Sequence, residues 1–391
     1  MDEDEERPLP AHLQQHKSRV ICGVEGPRYT ESYEYAGTFS SMHHDDAFSL
    51  EGFKDELEVR MLTRTDELVR FEMRGIDAAL ANAFRRILIA EVPTMALHTI
   101  QVYQNTGVLC DEVLVHRLGL IPIRLDPQHF EYRRENEEHS AENSVKFKLH
   151  VKCDQGVRSV YSRDFVYEPL SDLQRQKFPP PQPSRHTPAA AAAASAASAA
   201  GATDEQAVEL YDGEVYPPPA PVYPDILITK LGAGQEIELE AYCEKGVGKD
   251  HAKWSPVATA VYRLFPELVF PKGPLVDAEA QELKDLCPMN CFDIEDTPTG
   301  VESVVTNVRQ CTTCRVCMER FPGRVQVNKI KNHFIFNIES TGCIPADQLF
   351  ERAVDVLRHK CAETFDMLKA NCPDAFSDED EAAQGSAADE G

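Results

Sequence analysis

Three cysteines, Cys311, Cys314 and Cys317, follow one another with two residues between each pair. Thiolates at this spacing can surround a compact inorganic core, and a fourth ligand must then come from elsewhere in the chain. The N-terminus is acidic and lacks the apolar segment of a signal peptide, so we expect a reducing compartment. In such a compartment the 12 cysteines are expected to be free thiols or metal ligands rather than disulfides.

A fourth ligand is suggested by comparison with the bacterial-type ferredoxin motif C-x2-C-x2-C-x3-C-P. Pro322 is present downstream, but Phe321 stands where the last cysteine of that motif would be. Upstream, Cys287 is followed by proline and matches the C-P end of a first motif. The comparison predicts one [4Fe–4S] cluster held by Cys287 and the three spaced cysteines. Three alternatives stay open: Cys291 as the fourth ligand, zinc as the metal, or thiols that hold no metal.

The composition argues against direct nucleic-acid binding and against a membrane protein. The formal net charge is −25 and the sequence shows no basic face, whereas proteins that bind nucleic acid by themselves normally have one. No run approaches the roughly 20 apolar residues of a membrane span. The sequence also lacks the G-x-S-x-G, Walker A and H-E-x-x-H motifs, so no hydrolytic or phosphoryl-transfer site is predicted.

Strands and helices must position these cysteines. Residues 57–73 alternate in pieces and predict two strands, and Asp77 can cap a helix that ends before Pro93. Further strands are predicted at 99–103 and 145–151. The segment VQVNKIKNHFIFNIES predicts a hairpin that turns near Lys331 and Asn332.

A final helix is predicted to begin after Pro345. Its apolar residues recur at steps of three and four and are expected to share one face. They are Leu349, Phe350, Ala353, Val354, Leu357, Cys361, Phe365 and Leu368. The cysteines outside the metal motif are expected to be small buried side chains, and these are Cys22, Cys110, Cys153, Cys243, Cys343, Cys361 and Cys372.

Several motifs resemble those of the α-like subunits of multisubunit RNA polymerases. The segments ANAFRRILIAEVPTMA (81–96) and HRLGLIPI (116–123) resemble two signatures of that family. The segment KGVGKDHAKWSPVATAVYRLFPEL (245–268) resembles the eukaryotic and archaeal branch. Its end looks more like the subunits shared by RNA polymerases I and III than the polymerase II subunits. The segments at 287–296 and 334–360 extend the resemblance.

The resemblance implies an α+β fold with a discontinuous α-like dimerisation domain, an inserted mainly β domain and a small ferredoxin-like domain. The implied boundaries are a flexible leader (1–40), the dimerisation domain (41–95 with 322–376), the inserted domain (96–264), the ferredoxin-like domain (265–321) and a disordered acidic tail (377–391). Within the inserted domain, the Pro- and Ala-rich segment 178–224 is expected to be disordered.

The resemblance also implies a non-catalytic assembly subunit of RNA polymerases I and III, which transcribe ribosomal, 5S and transfer RNA genes. Such a subunit pairs with a smaller α-like subunit, and the heterodimer supports the second-largest subunit. It assembles in the cytoplasm and works in the nucleus, including the nucleolus. By this resemblance Asn82, Arg85 and Arg86 contact the second-largest subunit. The smaller partner packs on the last helix at Phe350, Val354 and Leu357.

Two other functions remain as alternatives. The first is an iron–sulfur electron carrier, although the cluster segment is a minor part of the chain. The second is the corresponding subunit of RNA polymerase II. That relative carries a clustered zinc-binding loop in its inserted domain, whereas between Leu125 and Tyr167 this sequence has only Cys153.

Overall fold

The computed structural model describes residues 9–23, 25–30, 48–179, 216–298 and 300–372. In these ranges helices accompany antiparallel sheets, which confirms the predicted α+β class. The helices are α1 (Ala11–Ser18), α2 (Leu50–Glu56), α3 (Ala78–Ala90), α4 (Asp111–Gly119), α5 (Asp172–Lys177), α6 (Asp277–Leu286), α7 (Val316–Arg320) and α8 (Ala346–Asn371). None of them is long and apolar enough to cross a membrane.

The strands fall into one large sheet, one four-stranded sheet and three small pairs. The first strands are β1 (Arg19–Cys22), β2 (Pro27–Arg28), β3 (Glu58–Arg64), β4 (Leu68–Arg74), β5 (Pro93–Asn105), β6 (Ile123–Arg124), β7 (Ser144–Lys152) and β8 (Val157–Tyr161). The others are β9 (Val166–Glu168), β10 (Ala220–Pro221), β11 (Leu227–Gly232), β12 (Glu236–Val247), β13 (Val257–Val269), β14 (Phe292–Thr297), β15 (Gly300–Val305) and β16 (Gln326–Ser340).

The chain divides into two compact units. The first unit comprises residues 1–64, 68–85 and 259–338. Its sheet has the strand order β2-β1-β16-β4-β3, and β13 also pairs with β16. Phe71 of β4 stacks on Phe336 of β16 with ring centroids 5.1 Å apart, and Tyr262 of β13 packs against the same Phe336. Since β16 pairs with strands from three parts of the sequence, it organises this unit.

Part of the segment expected to be a flexible leader is folded. Residues 11–22 form α1 and β1, and β1 pairs antiparallel with β16 with Arg19 opposite Ile330. The Arg19 guanidinium also donates to the Glu267 carboxylate at 2.9 Å. Besides the neighbouring β2, this short strand pairs with β16, which lies about three hundred residues away, so the local sequence gives no sign of that pairing. Residues 1–8 and 31–40 of the same segment lie outside the described residues.

The prediction of a hairpin near Lys331 and Asn332 is wrong. Gln326–Ser340 is one uninterrupted strand, β16. Neither of the two residues has a positive φ, which the usual two-residue hairpin turn requires. The polar residues between the two apolar runs are tolerated because that part of the strand is only half-buried.

The second unit comprises residues 65–67, 86–258 and 339–391. Its main sheet has the order β5-β12-β7-β9, and β12 shows alternating buried and half-buried residues along its length. The buried side chains form a core that includes Leu114, Leu118, Phe147, Leu149, Leu231, Ile237 and Leu239. The strands predicted at 99–103 and 145–151 are β5 and β7, and both are longer than predicted.

The Pro- and Ala-rich segment is folded at both of its ends. Phe178 is buried, and Tyr216 packs against it with ring centroids 5.8 Å apart. β10 follows and pairs with β6. Residues 180–215 lie outside the described residues, as does the acidic tail expected at 377–391.

Candidate functional site

Five cysteines line one cavity of the first unit. They are Cys287, Cys291, Cys311, Cys314 and Cys317. The rest of the wall is largely apolar and includes Leu268, Met289, Phe292 and Val327. The structure therefore brings together all four predicted ligands and the alternative one. As the side chains stand, no three Cys, His, Asp or Glu residues of the described ranges are arranged as a metal-ligand shell.

Several elements deliver these thiols to the cavity. Cys287 directly follows α6, and Cys291 directly precedes β14. Between Cys311 and Cys317, which lies in α7, the loop turns through two residues with positive φ, Thr313 (59°) and Arg315 (69°). A positive φ is unfavourable for residues with side chains and especially for a β-branched threonine, and it costs about 1–3 kcal/mol. Such local strain is typical of a loop shaped for binding.

Burial raises the pKa of three of the cavity thiols. Burial raises the pKa of the Cys317 thiol to about 11. Burial also raises the pKa of Cys311, and the pKa of Cys291 rises through burial and its neighbours Cys287 and Cys311. Metal ligation requires thiolates, so a bound metal would have to displace these protons.

The surroundings of the two candidate fourth ligands differ. The backbone N–H of Cys291 donates to Sγ of Cys287 at 3.4 Å, so this sulfur already accepts a hydrogen bond from the backbone. Cys291 is only 1% exposed, and its Sγ is 3.9 Å from the carbonyl oxygen of Met289. The donor set therefore fits a four-thiolate group, and it favours Cys287 over Cys291.

Helix α8 has two apolar faces rather than one. Ala346, Leu349 and Ala353 are buried against the second unit. The other apolar residues form what we call the α8 stripe: Phe350, Val354, Leu357, Cys361, Phe365 and Leu368. Val354, Phe365 and Leu368 are 40%, 45% and 49% exposed. The single core stripe predicted from the sequence is thus split, and its larger part faces outward.

Ion pairs attach α8 to its own unit away from the stripe. The Arg352 guanidinium donates to both carboxylate oxygens of Asp126, at 3.0 and 2.9 Å. Burial alone would raise the pKa of Asp126, but hydrogen bonds from Arg352 and from the N–H of Gln128 outweigh it and hold that pKa below its ordinary value. Lys360 pairs with Glu91 at 2.8 Å. These contacts fix the helix through residues that do not belong to the stripe.

The predicted contact residues Asn82, Arg85 and Arg86 lie on α3. Both oxygens of Asp77 accept backbone N–H groups of the first turn, as the predicted cap requires. The Asn82 side-chain oxygen accepts from Arg85 at 2.9 and 3.2 Å, so Asn82 orients that guanidinium. Arg85 is half-buried and Arg86 is exposed.

The remaining cysteines are divided between core and surface. Cys153, Cys243 and Cys343 are buried as predicted. The prediction is wrong for Cys110, Cys361 and Cys372, which are exposed; for Cys361 the reason is the outward turn of the α8 stripe. Cys22 is half-buried and packs on the apolar cluster around the cysteine cavity. Its spacing in the sequence gave no sign of this position.

Comparisons with known proteins place the chain in a family. Residues 70–361 match the family described as the RNA polymerase Rpb3/Rpb11 dimerisation domain. The subunit rpac1 of DNA-directed RNA polymerases I and III from Dictyostelium discoideum is 34% identical, with 90% of this chain and 93% of that protein covered. The RPAC1 subunit of polymerases I and III from Mus musculus is 35% identical, with 92% and 97% covered.

A relative named for other polymerases is less similar. Subunit 3 of DNA-directed RNA polymerases II, IV and V from Arabidopsis thaliana is 29% identical, with 78% of this chain and 88% of that protein covered. The resemblance seen in the sequence motifs is thereby confirmed. The chain belongs to the family of α-like RNA polymerase subunits that carry the Rpb3/Rpb11 dimerisation domain.

Proposed function

We propose that this chain is the α-like assembly subunit common to DNA-directed RNA polymerases I and III. The observation that carries the proposal is the α8 stripe, an apolar helix face that is half-buried at Phe350 and Leu357 and exposed at Val354, Phe365 and Leu368, in a chain that contains a polymerase dimerisation domain. Exposed apolar faces of this kind are typical of protein–protein interfaces. The two relatives named for polymerases I and III match over more of the chain than the relative named for polymerase II, which supports the choice of enzymes.

In this proposal the chain is a scaffold and supplies no catalytic group. The α8 stripe packs on a smaller α-like subunit, and the resulting heterodimer binds the second-largest subunit. On α3, Arg85 and Arg86 provide charge-assisted hydrogen bonds to that larger subunit, with Asn82 holding Arg85 in place. Contact with nucleic acid is left to other subunits, consistent with the net charge of −25.

The proposed role sets the cellular location. A subunit of polymerases I and III works in the nucleus, including the nucleolus where ribosomal RNA genes are transcribed. The exposed α8 stripe favours early pairing, because an uncovered apolar face promotes aggregation of the lone chain. We therefore place pairing with the smaller subunit in the cytoplasm, before entry into the nucleus.

The cysteine cavity has a structural role in this proposal. Cys287, Cys311, Cys314 and Cys317 would hold one [4Fe–4S] cluster, with Cys291 as the alternative fourth ligand and zinc as the alternative metal. When bound, such a group would supply four metal–thiolate bonds that join Cys287, directly after α6, to the loop before α7 and to Cys317 within α7. Metal binding of this kind contributes directly to the folding free energy of a small domain.

The experiment is co-expression of the chain with a smaller α-like subunit, followed by gel filtration with light scattering. We expect a one-to-one heterodimer, and we expect the chain expressed alone to aggregate or form mixed oligomers. A monodisperse, folded monomer without affinity for any α-like subunit would contradict the pairing.

A further inference from the structure

An ion pair with a buried carboxylate lies beside the cysteine cavity. Glu72 of β4 is only 5% exposed. The Arg309 guanidinium donates to both of its carboxylate oxygens, with Nη2 3.2 Å from Oε2 and Nε in closer contact with Oε1. Nε2 of His333, on β16, is 3.7 Å from the same carboxylate. A buried carboxylate needs such partners, since an unpaired buried charge is strongly unfavourable. Glu72 therefore fixes the position of Arg309, two residues before Cys311.

A second arginine holds the same loop through its backbone. Nη1 of Arg263, on β13, donates to the carbonyl oxygen of Cys311 at 3.1 Å. Its Nη2 donates to the carbonyl oxygen of Arg309. The planar guanidinium of arginine can donate to two neighbouring acceptors at once. The ammonium group of lysine lacks this fixed geometry. Arg309, which belongs to the loop, is therefore held by its pairing with Glu72. Arg263, which lies outside the loop, binds two of the loop's backbone carbonyl groups.

These contacts join the cysteine loop to two strands of the large sheet. Glu72 comes from β4 and Arg263 from β13, and both strands pair with β16. The ring of Phe265, also on β13, stacks on His333 at 4.2 Å and stiffens the same region. The loop residues themselves contribute few buried apolar side chains, since residues 306–310 are half-buried or exposed. The two arginines therefore supply side-chain contacts that fix the start of the cysteine triplet, in addition to the backbone hydrogen bonds from Thr306 and Asn307 to the carbonyl oxygen of Cys291.

We propose that Arg263 and Arg309 are positioning residues that hold Cys311 at the cysteine cavity before any metal binds. This inference rests on the proposed metal site, but its first test does not need a metal. A site whose ligands are already ordered loses less conformational freedom on binding, so the same metal binds more tightly. Partners that orient metal ligands in this way typically change metal affinity by about 10–100-fold.

The first test measures thiol reactivity in the metal-free, full-length chain co-purified with its smaller subunit. Iodoacetamide alkylation of Cys311 is followed by peptide mass spectrometry in wild type, Arg263→Ala and Arg309→Ala. We expect Cys311 to react several-fold faster in both variants, because the loop opens more often. Cys243, buried in the second unit, should keep its wild-type rate.

Arg320→Ala is the matched control. Arg320 lies on α7 three residues after Cys317 and pairs with Glu282, but that pair is exposed, so its loss should leave the rate at Cys311 unchanged. If Arg309→Ala fails to fold because Glu72 is left unpaired, Arg263→Ala decides alone, since it leaves no buried charge behind. A wild-type alkylation rate at Cys311 in Arg263→Ala would overturn the proposal.

The second test measures affinity for Co²⁺ alone, through the absorption of cobalt–thiolate bonds. We expect Arg263→Ala and Arg309→Ala to weaken binding about tenfold relative to wild type and to Arg320→Ala. Unchanged affinity would contradict preorganisation. If wild type itself binds no Co²⁺, the metal-site proposal fails, while the alkylation rates still decide the role of the arginines. If the variants still pair with the smaller subunit, neither the alkylation result nor the Co²⁺ result bears on the proposed assembly role.

Discussion

At the scale of single residues, the cysteine cavity offers two candidates for the fourth ligand, Cys287 and Cys291. We predict that Cys287→Ser lowers the iron and acid-labile sulfide content of anaerobically prepared protein more than Cys291→Ser does. The reason is the N–H of Cys291, which already donates a hydrogen bond to the sulfur of Cys287. The reverse order would assign the ligand role to Cys291. One zinc per chain with no sulfide would replace the cluster with a zinc site.

The thiols also predict a pH dependence for the metal-free protein. Burial raises the pKa of Cys317 to about 11, above the value of about 8.5 for an exposed thiol. A raised folded-state pKa means that the stabilising contribution is fully present below about pH 8.5 and is lost as pH rises toward 11. Chemical denaturation should therefore show falling stability over this window. Cys317→Ala should weaken that fall, and an identical fall in both proteins would contradict the assignment.

Residue types and spacing pointed to the cysteines that line the cavity but not to the residues that support them, and the metal itself stays a prediction. The ligand candidates lie close together in sequence, and a metal imposes a regular spacing on its ligands. Glu72 and Arg309 are 237 residues apart and carry no motif, so their pairing depends on strand order alone. The position of Cys22 beside the apolar cluster around the cavity could not be predicted either, because its neighbours there are distant in the sequence.

At the scale of elements, α8 is the interface that we propose for the smaller subunit. We predict that Phe350→Asp combined with Leu357→Asp abolishes pairing with the smaller subunit. Removing two large apolar side chains from an interface costs about 3 kcal/mol or more by area alone, and the buried charges add to it. Isothermal titration or co-purification should show at least about a hundredfold loss of affinity.

A matched variant controls for helix propensity and added charge. His359→Asp combined with Ala370→Asp places two aspartates on the exposed side of α8 that lies opposite the stripe. This variant should pair at wild-type affinity. Equal loss in both double variants would mean that the charge or the helix, rather than the stripe, is responsible.

Helix α3 predicts a separable step of assembly. Replacing Arg85 and Arg86 with Ala should leave the heterodimer intact but weaken its capture of the second-largest subunit, because charge-assisted hydrogen bonds are lost there. Asn82→Ala should have a smaller effect in the same direction, since it only releases Arg85 from its orientation. Pull-down of the large subunit by preformed heterodimers measures both. Wild-type capture by the double variant would make these arginines ordinary surface residues.

Elements with strong local patterns were predictable, and elements defined by distant partners were not. The α3 cap at Asp77 and the strands at 57–73 appear as expected because caps and alternation are local signals. β1 was missed and β16 was divided in two, because both depend on pairing across the sheet. The amphipathic pattern predicted α8 correctly but could not tell an inward face from an outward one.

At the scale of the whole molecule, charge and surface suit a chain that is held among protein partners. The net charge of −25 opposes close approach to nucleic acid, while the α8 stripe favours an apolar partner. The family assignment rests on a match over residues 70–361, so it concerns most of the molecule rather than one motif.

The most direct test of the account is co-purification of the tagged chain from cells in which it replaces the endogenous copy, followed by quantitative mass spectrometry. The account predicts that the largest and second-largest subunits of both RNA polymerase I and RNA polymerase III are recovered, together with one smaller α-like subunit. Recovery of the polymerase II subunits in their place, or of a reductase without any polymerase subunit, would contradict it.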